Sequence, residues 1–174
     1  MDVPAPASPG RPFYLAALPA FLFRTDPAPA RYVVKAWALA LLPSLALSGL
    51  VGLLLPEAGR PDFNPQVTGP ATLAFLLVIV SPAIETLILA PLVLVLNRWL
   101  GAGPAVVVAA LLWAGAHSFA AAAWGLIVWW PFLIMSIAFL TWRSEGLGKA
   151  LLLVFAIHAL QNAVGAGMLL LIGP

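Results

Sequence analysis

The chain has 174 residues, 63% of them apolar and 8% charged, and its mean hydropathy is +1.07. That composition excludes a soluble fold and describes a polytopic membrane protein, with room for one helical bundle and no separate soluble domain. Eight basic residues face six acidic ones, no nucleic-acid partner is expected, and the lack of cysteine removes disulfides, thiolate metal sites and cysteine nucleophiles.

In chain order, residues 1–10 are proline-rich, carry Asp2 and lack both a basic start and an apolar core, so they do not read as a signal peptide. Residues 12–23 (PFYLAALPAFLF) are apolar but too short to span, contain Pro19, and lie between Arg11 and Arg24. They fit a segment lying in the membrane interface, or equally a helix packed on the bundle. The first 35 residues are thus read as a cytoplasmic and interfacial segment, and residues 36–174 as a single membrane domain.

About 20 residues cross a hydrocarbon core of about 30 Å. On that measure the first two spans are 37–55, ended by Pro56, and 71–96, closed by Asn97 and Arg98. Residues 101–142 contain no Asp, Glu, Lys or Arg. As one helix they would be roughly 60 Å long, so the chain is expected to turn back near residues 123–125, giving spans 104–122 and 126–142. The last span is 149–172. The expected fold class is therefore all-α, a polytopic membrane helical bundle of about five transmembrane helices plus an N-terminal interfacial segment.

With five spans, Arg11, Arg24, Arg31, Lys35, Arg98, Arg143 and Lys149 share one side and only Arg60 lies on the other. Basic residues favour the cytoplasmic side of short loops. The N-terminus is therefore expected in the cytoplasm and the C-terminus across the membrane, which would be a bacterial inner or plasma membrane. Trp129 and Trp130 fall at a span end and read as interface anchors.

Three titratable groups interrupt the apolar runs. Glu85 lies inside 71–96, His117 inside 101–142, and His158 inside the charge-free run 150–174. Such groups are costly in lipid and mark functional sites by default. His158 and Asn162 are also four residues apart, so they project from one helix face, with Gln161 beside them. Together an imidazole and a carboxamide can direct hydrogen bonds to one point, as a developing oxyanion requires. Polar residues of this kind also join helices in membrane bundles without further function. Glu85 could act as a protonated interhelical hydrogen-bond donor, and His117 as a packing residue. The three fall near the middle of their expected spans, which favours one shared site. Glu85, His117 and His158 could alternatively be zinc ligands with water in the fourth position, although no compact His-Glu-x-x-His helix is present.

Ser81-Pro82-Ala83-Ile84-Glu85, Trp113-Ala114-Gly115-Ala116-His117 and His158-Ala159-Leu160-Gln161-Asn162 occur in that order on successive apolar segments. The set resembles the three motifs of the CAAX protease and bacteriocin-processing family, the Abi family of membrane proteases. Where the family's first motif has a second Glu and an Arg, this chain has Thr86 and Ala90. The resemblance implies metal-free hydrolysis of a peptide bond within the membrane. It casts Glu85 and His117 as the pair that activates water, with His158 and Asn162 holding the oxyanion; the substrate would be a membrane peptide or protein. The alternative is a catalytically degenerate relative that serves as an accessory or scaffold for other membrane subunits. A transporter fits less well, because there is no inverted repeat and only one intramembrane carboxylate.

Overall fold

The computed structural model describes residues 12–58, 61 and 69–172, and every regular element among them is helical. Met1, Arg11, Arg60 and most of the loop after Pro56 lie outside the described residues. Two single 3₁₀ turns, Phe13–Leu15 and Ala20–Phe23, precede α1 (Pro29–Leu54), α2 (Pro70–Leu100), α3 (Ala102–Ser118), α4 (Trp124–Arg143) and α5 (Leu147–Ile172). Four of these, α1, α2, α4 and α5, are long and apolar enough to cross a membrane, and the chain is an integral membrane protein. With 17 residues, α3 is roughly 25 Å long, at the lower limit for a span.

Well before residue 37, α1 begins at Pro29, because its start is set by local chemistry and not by the last charge. Proline suits the first helical position, where its missing N–H costs nothing. Just upstream, the Asp26 carboxylate accepts the Ala28 N–H at 2.9 Å and the Arg31 guanidinium through two bonds of 2.9 and 2.7 Å. Arg31 and Lys35 therefore sit on an exposed face of the first two turns. At the other end of the bundle's basic side, α2 passes to α3 through Gly101 alone, whose φ of 79° needs a residue without Cβ.

The central helix is α4. Every residue from Pro131 to Phe139 is buried, the pattern of a helix enclosed on all sides. It is surrounded by α3, α5 and α1, while α2 packs on α3 and α5. The N-terminal segment completes the ring. It forms two tight turns in place of a helix, and its Leu15, Leu18 and Leu22 are buried in the common core. The Leu22 carbonyl accepts hydrogen bonds from both Tyr32 Oη and Thr141 Oγ1, each at 2.9 Å. That carbonyl joins the segment to α1 and α4 at once.

Two prolines lie inside the facing helices α1 and α4, Pro43 and Pro131. A proline has no N–H, so the carbonyl four residues earlier loses its helical donor. The two freed carbonyls are those of Leu39 and Ile127, and each is satisfied by the opposite helix. Trp130 Nε1 donates to Leu39 O at 2.8 Å, and Ser44 Oγ donates to Ile127 O at 3.2 Å. Trp130 lies within α4, half-buried beside Trp129, with its indole N–H bonded to α1.

Replacing Trp130 by Phe should destabilise the bundle by about 0.5–2 kcal/mol, the range for an interhelical bond in a membrane or an orphaned acceptor. Pro43→Ala restores the helix's own donor to Leu39 O, so the same replacement made in that background should cost clearly less. A double-mutant cycle of unfolding in mixed micelles measures this coupling; additive effects would contradict the arrangement.

The Asp26 tether makes a second prediction, about pH. The hydrogen bonds from Arg31, and then from the Ala28 N–H, hold the Asp26 carboxyl down from 3.8 to about 2. Because the folded value is the lower one, the tether's contribution is present above about pH 4 and is lost as pH falls towards about 2. A carboxyl-carbon NMR titration should find a midpoint near the lower value in wild type, moved towards the ordinary aspartate range in Arg31→Ala.

Candidate functional site

The site begins with a local change of helical register in α2. Residues Leu76–Val80 form a π turn, in which the Ser81 N–H bonds to the Leu76 carbonyl five residues back. The next carbonyl, Leu77 O, would take its hydrogen from residue 82, and that residue is Pro82. Asn162 Nδ2 supplies the donor instead, at 2.9 Å. This bond ties α5 to α2 one turn from His158 and fixes the rotation of the segment that carries Glu85. π turns of this kind are frequent at functional sites.

Just past the π turn, Ser81 Oγ donates to Glu85 Oε1 across one turn of α2. The other carboxylate oxygen, Oε2, lies 3.7 Å from His117 Nε2 and 3.8 Å from His158 Nε2. It is buried and has no hydrogen-bond partner. Both separations exceed a direct hydrogen bond and suit a polar atom shared between the three groups. The Glu85 and His117 side chains retain 17% and 13% exposure, whereas His158 retains 5%.

His117 has a defined tautomer. Its Nδ1 lies 2.9 Å from the Trp113 carbonyl, which can only accept, so Nδ1 carries a hydrogen. In the neutral ring Nε2 then presents a lone pair towards Glu85. Aromatic rings hold the imidazole in place: Trp124 meets it edge-on with centroids 4.6 Å apart, and Phe132 lies at 5.3 Å. Phe132 stacks on Trp113 at 4.7 Å and also packs against His158 at 5.5 Å. One residue of the central helix therefore contacts both histidines.

Glu85, His117 and His158 thus converge, and Asn162 lies one turn from His158 with one of its two N–H groups committed to Leu77 O. His117 is not in the middle of a span, since α3 ends one residue later, at Ser118. The helix stops there because α4 returns against it: a Cβ at Gly125 would overlap the Ala114 carbonyl and the Ser118 hydroxyl. Thr86 and Ala90 are both buried in the bundle. Among the described residues, no three His, Cys, Asp or Glu side chains form a group that could hold a metal ion.

Ser81 and Phe132 were given no role from sequence. The signal for Ser81 was its i, i+4 spacing from Glu85 on a helix. Phe132 carries no such signal, being one aromatic residue in an apolar run. Chemically, a carboxylate oxygen flanked by two imidazole nitrogens can bind a water or hydroxyl group and take its proton.

The link between Asn162 and Pro82 can be tested without any activity. Asn162→Ala should destabilise by about 1 kcal/mol by orphaning Leu77 O. In a Pro82→Ala background, where residue 82 regains an N–H, that cost should largely vanish, as read by unfolding in mixed micelles.

No family model, curated protein or solved structure matches this chain.

Proposed function

We propose that the chain is a divergent membrane protease of the CAAX protease and bacteriocin-processing type, which hydrolyses a peptide bond with water activated at Glu85. The observation that carries this reading is the Glu85 Oε2 atom, unpartnered and placed between His117 Nε2 and His158 Nε2. A glutamate kept only for packing would have its carboxyl oxygens hydrogen-bonded across a helix interface. Here only Oε1 is hydrogen-bonded, and to Ser81 of its own helix.

In this reading, Glu85 Oε2 and the lone pair of His117 Nε2 share a water molecule. Glu85 takes its proton as the oxygen adds to the scissile carbonyl carbon. His158 Nε2, with a hydrogen, faces the negative charge that develops on the carbonyl oxygen, and the second N–H of Asn162 is the further donor. The proton on Glu85 then passes to the leaving amine as the C–N bond breaks. The residues do this without a metal. The N-terminus lies in the cytoplasm, by the excess of basic residues at that end.

A second reading is favoured by one observation: Asn162 already spends an N–H on the α2 backbone. In a degenerate accessory subunit, the same polar groups would serve helix packing alone. Glu85→Gln separates the two, because it keeps shape and hydrogen bonding but removes the base. In the protease it should lower cleavage of membrane peptides by about 10²–10⁴-fold with folding intact, and chelators should have no effect. Equal function of Glu85→Gln and wild type, with stoichiometric co-purification of other membrane subunits, would establish the accessory role. Loss of activity on chelation with recovery on adding zinc would replace the metal-free mechanism.

A further inference from the structure

The hairpin that carries His117 is shorter than the helices around it. The antiparallel contacts give the offset. Phe132 packs on His158, so Trp124, at the start of α4, lies level with about residue 166 of α5. Residues 167–172 continue roughly 9 Å further. Ser44 bonds Ile127, so Trp124 lies level with about residue 47 of α1, which runs on to Leu54, roughly 10 Å further. Among the described residues, the turn at residues 119–123 is therefore recessed between its neighbours, at the end of the bundle away from Arg143 and Lys149; on the α1 side the chain folds back onto it, with the Ala123 N–H bonded to the Ala58 carbonyl at 2.8 Å, while Phe119 stays open.

The recess leads to the site. His117 immediately precedes its floor, and Trp124 on the floor contacts the His117 ring. Phe119, on the same floor, is 95% exposed. His117 is the site residue nearest this floor and keeps 13% exposure, while His158, further along α4 beside Phe132, is nearly closed off at 5%. At the opposite end, the site is sealed by the core around Leu22, Tyr32 and Trp142, all fully buried. Between the two histidines, exposure thus falls with distance from the recess.

We infer that the site is reached from the side of the membrane opposite the Arg143 and Lys149 connection, through this recess. The inference rests on the protease reading for its substrate class: an extended segment of a membrane protein lying just outside its own span on that opposite side. A peptide bond must leave its helix to present its carbonyl carbon to water. A recess about 10 Å deep with an aromatic floor, Phe119 and Trp124, accepts such a segment with apolar side chains beside the bond to be cut.

The cysteine-free chain allows a direct test. Phe119→Cys, Ala120→Cys and, as a reference, Ser144→Cys are made singly and treated with a membrane-impermeant maleimide in sealed vesicles of known orientation. The first two should label only from the side opposite to Ser144→Cys; labelling of all three from one side would overturn the inference. In the second arm, Phe119→Cys combined with Glu85→Gln carries a maleimide-benzophenone probe and is photo-crosslinked to single-span model peptides. These peptides have an apolar flank on one side of the membrane or the other. Crosslinking should favour the flank opposite the Arg143 side by at least about tenfold. A preference for the other flank, or equal crosslinking, would also overturn it. If access and crosslinking follow expectation while wild type cleaves none of the peptides, the binding route stands and the protease reading falls.

Discussion

In hydrocarbon no water is at hand for a carbonyl that has lost its helical donor, and this chain puts prolines inside its spans. Such a carbonyl can be met by a side chain from another helix. Three are met in this way: Leu39 O by Trp130, Ile127 O by Ser44, and Leu77 O by Asn162. Elsewhere helices approach closely at small residues such as Ala36, Ala40, Ala109 and Ala138, each fully buried among larger apolar side chains. Packing of that kind brings backbones together but leaves helices free to slide and rotate. The three donor bonds are directional, and they set the register of α1 on α4 and of α2 on α5.

The site is a consequence of the third bond. The π turn shifts the face of α2 just before Ser81, and Pro82 forces Asn162 to complete the backbone there. Since His158 is one turn from Asn162 on α5, the bond that fixes the π turn also brings His158 up to Glu85. Ser81 then selects which carboxylate oxygen is engaged and which is left facing the imidazoles. Thr86 and Ala90, buried within the bundle, offer Glu85 no charged partner, so its orientation depends on Ser81 and on the helix register.

Sequence made the helical fold legible because apolar runs of span length have few alternatives, and the residues Glu85, His117 and His158 stood out as polar groups in those runs. The boundaries that were misread have specific causes. Residues 29–36 belong to α1 although they carry Arg31 and Lys35, because a helix can begin before its hydrophobic stretch. α3 ends at Ser118 for a tertiary reason, the close return of α4 at Gly125, and nothing in residues 119–123 announces it. The N-terminal segment packs as two turns because Leu22 O finds Tyr32 and Thr141, partners 10 and 119 residues away. The proline pairings were equally hidden: each proline names the carbonyl it frees, but the donor can be named only once the neighbouring helix is known.

In the protease proposed above, the short α3 reconciles two demands that a hydrolytic site in a membrane places on its helices. The carboxylate and both imidazoles need surroundings that hold them rigidly, which here are the rings of Trp113, Trp124 and Phe132. Water and a peptide must nevertheless reach them, and a bundle of full-length helices would close over the site at both ends. Ending one hairpin early leaves the contacts of α2, α4 and α5 intact while removing the part of α3 that would have covered His117. Glycine at 125 makes this possible, since any side chain there would push α4 away from α3 and open the Trp113–Phe132 stack on which both histidines rest. Access to the site and rigidity of the site are thus set by the same close approach of two helices.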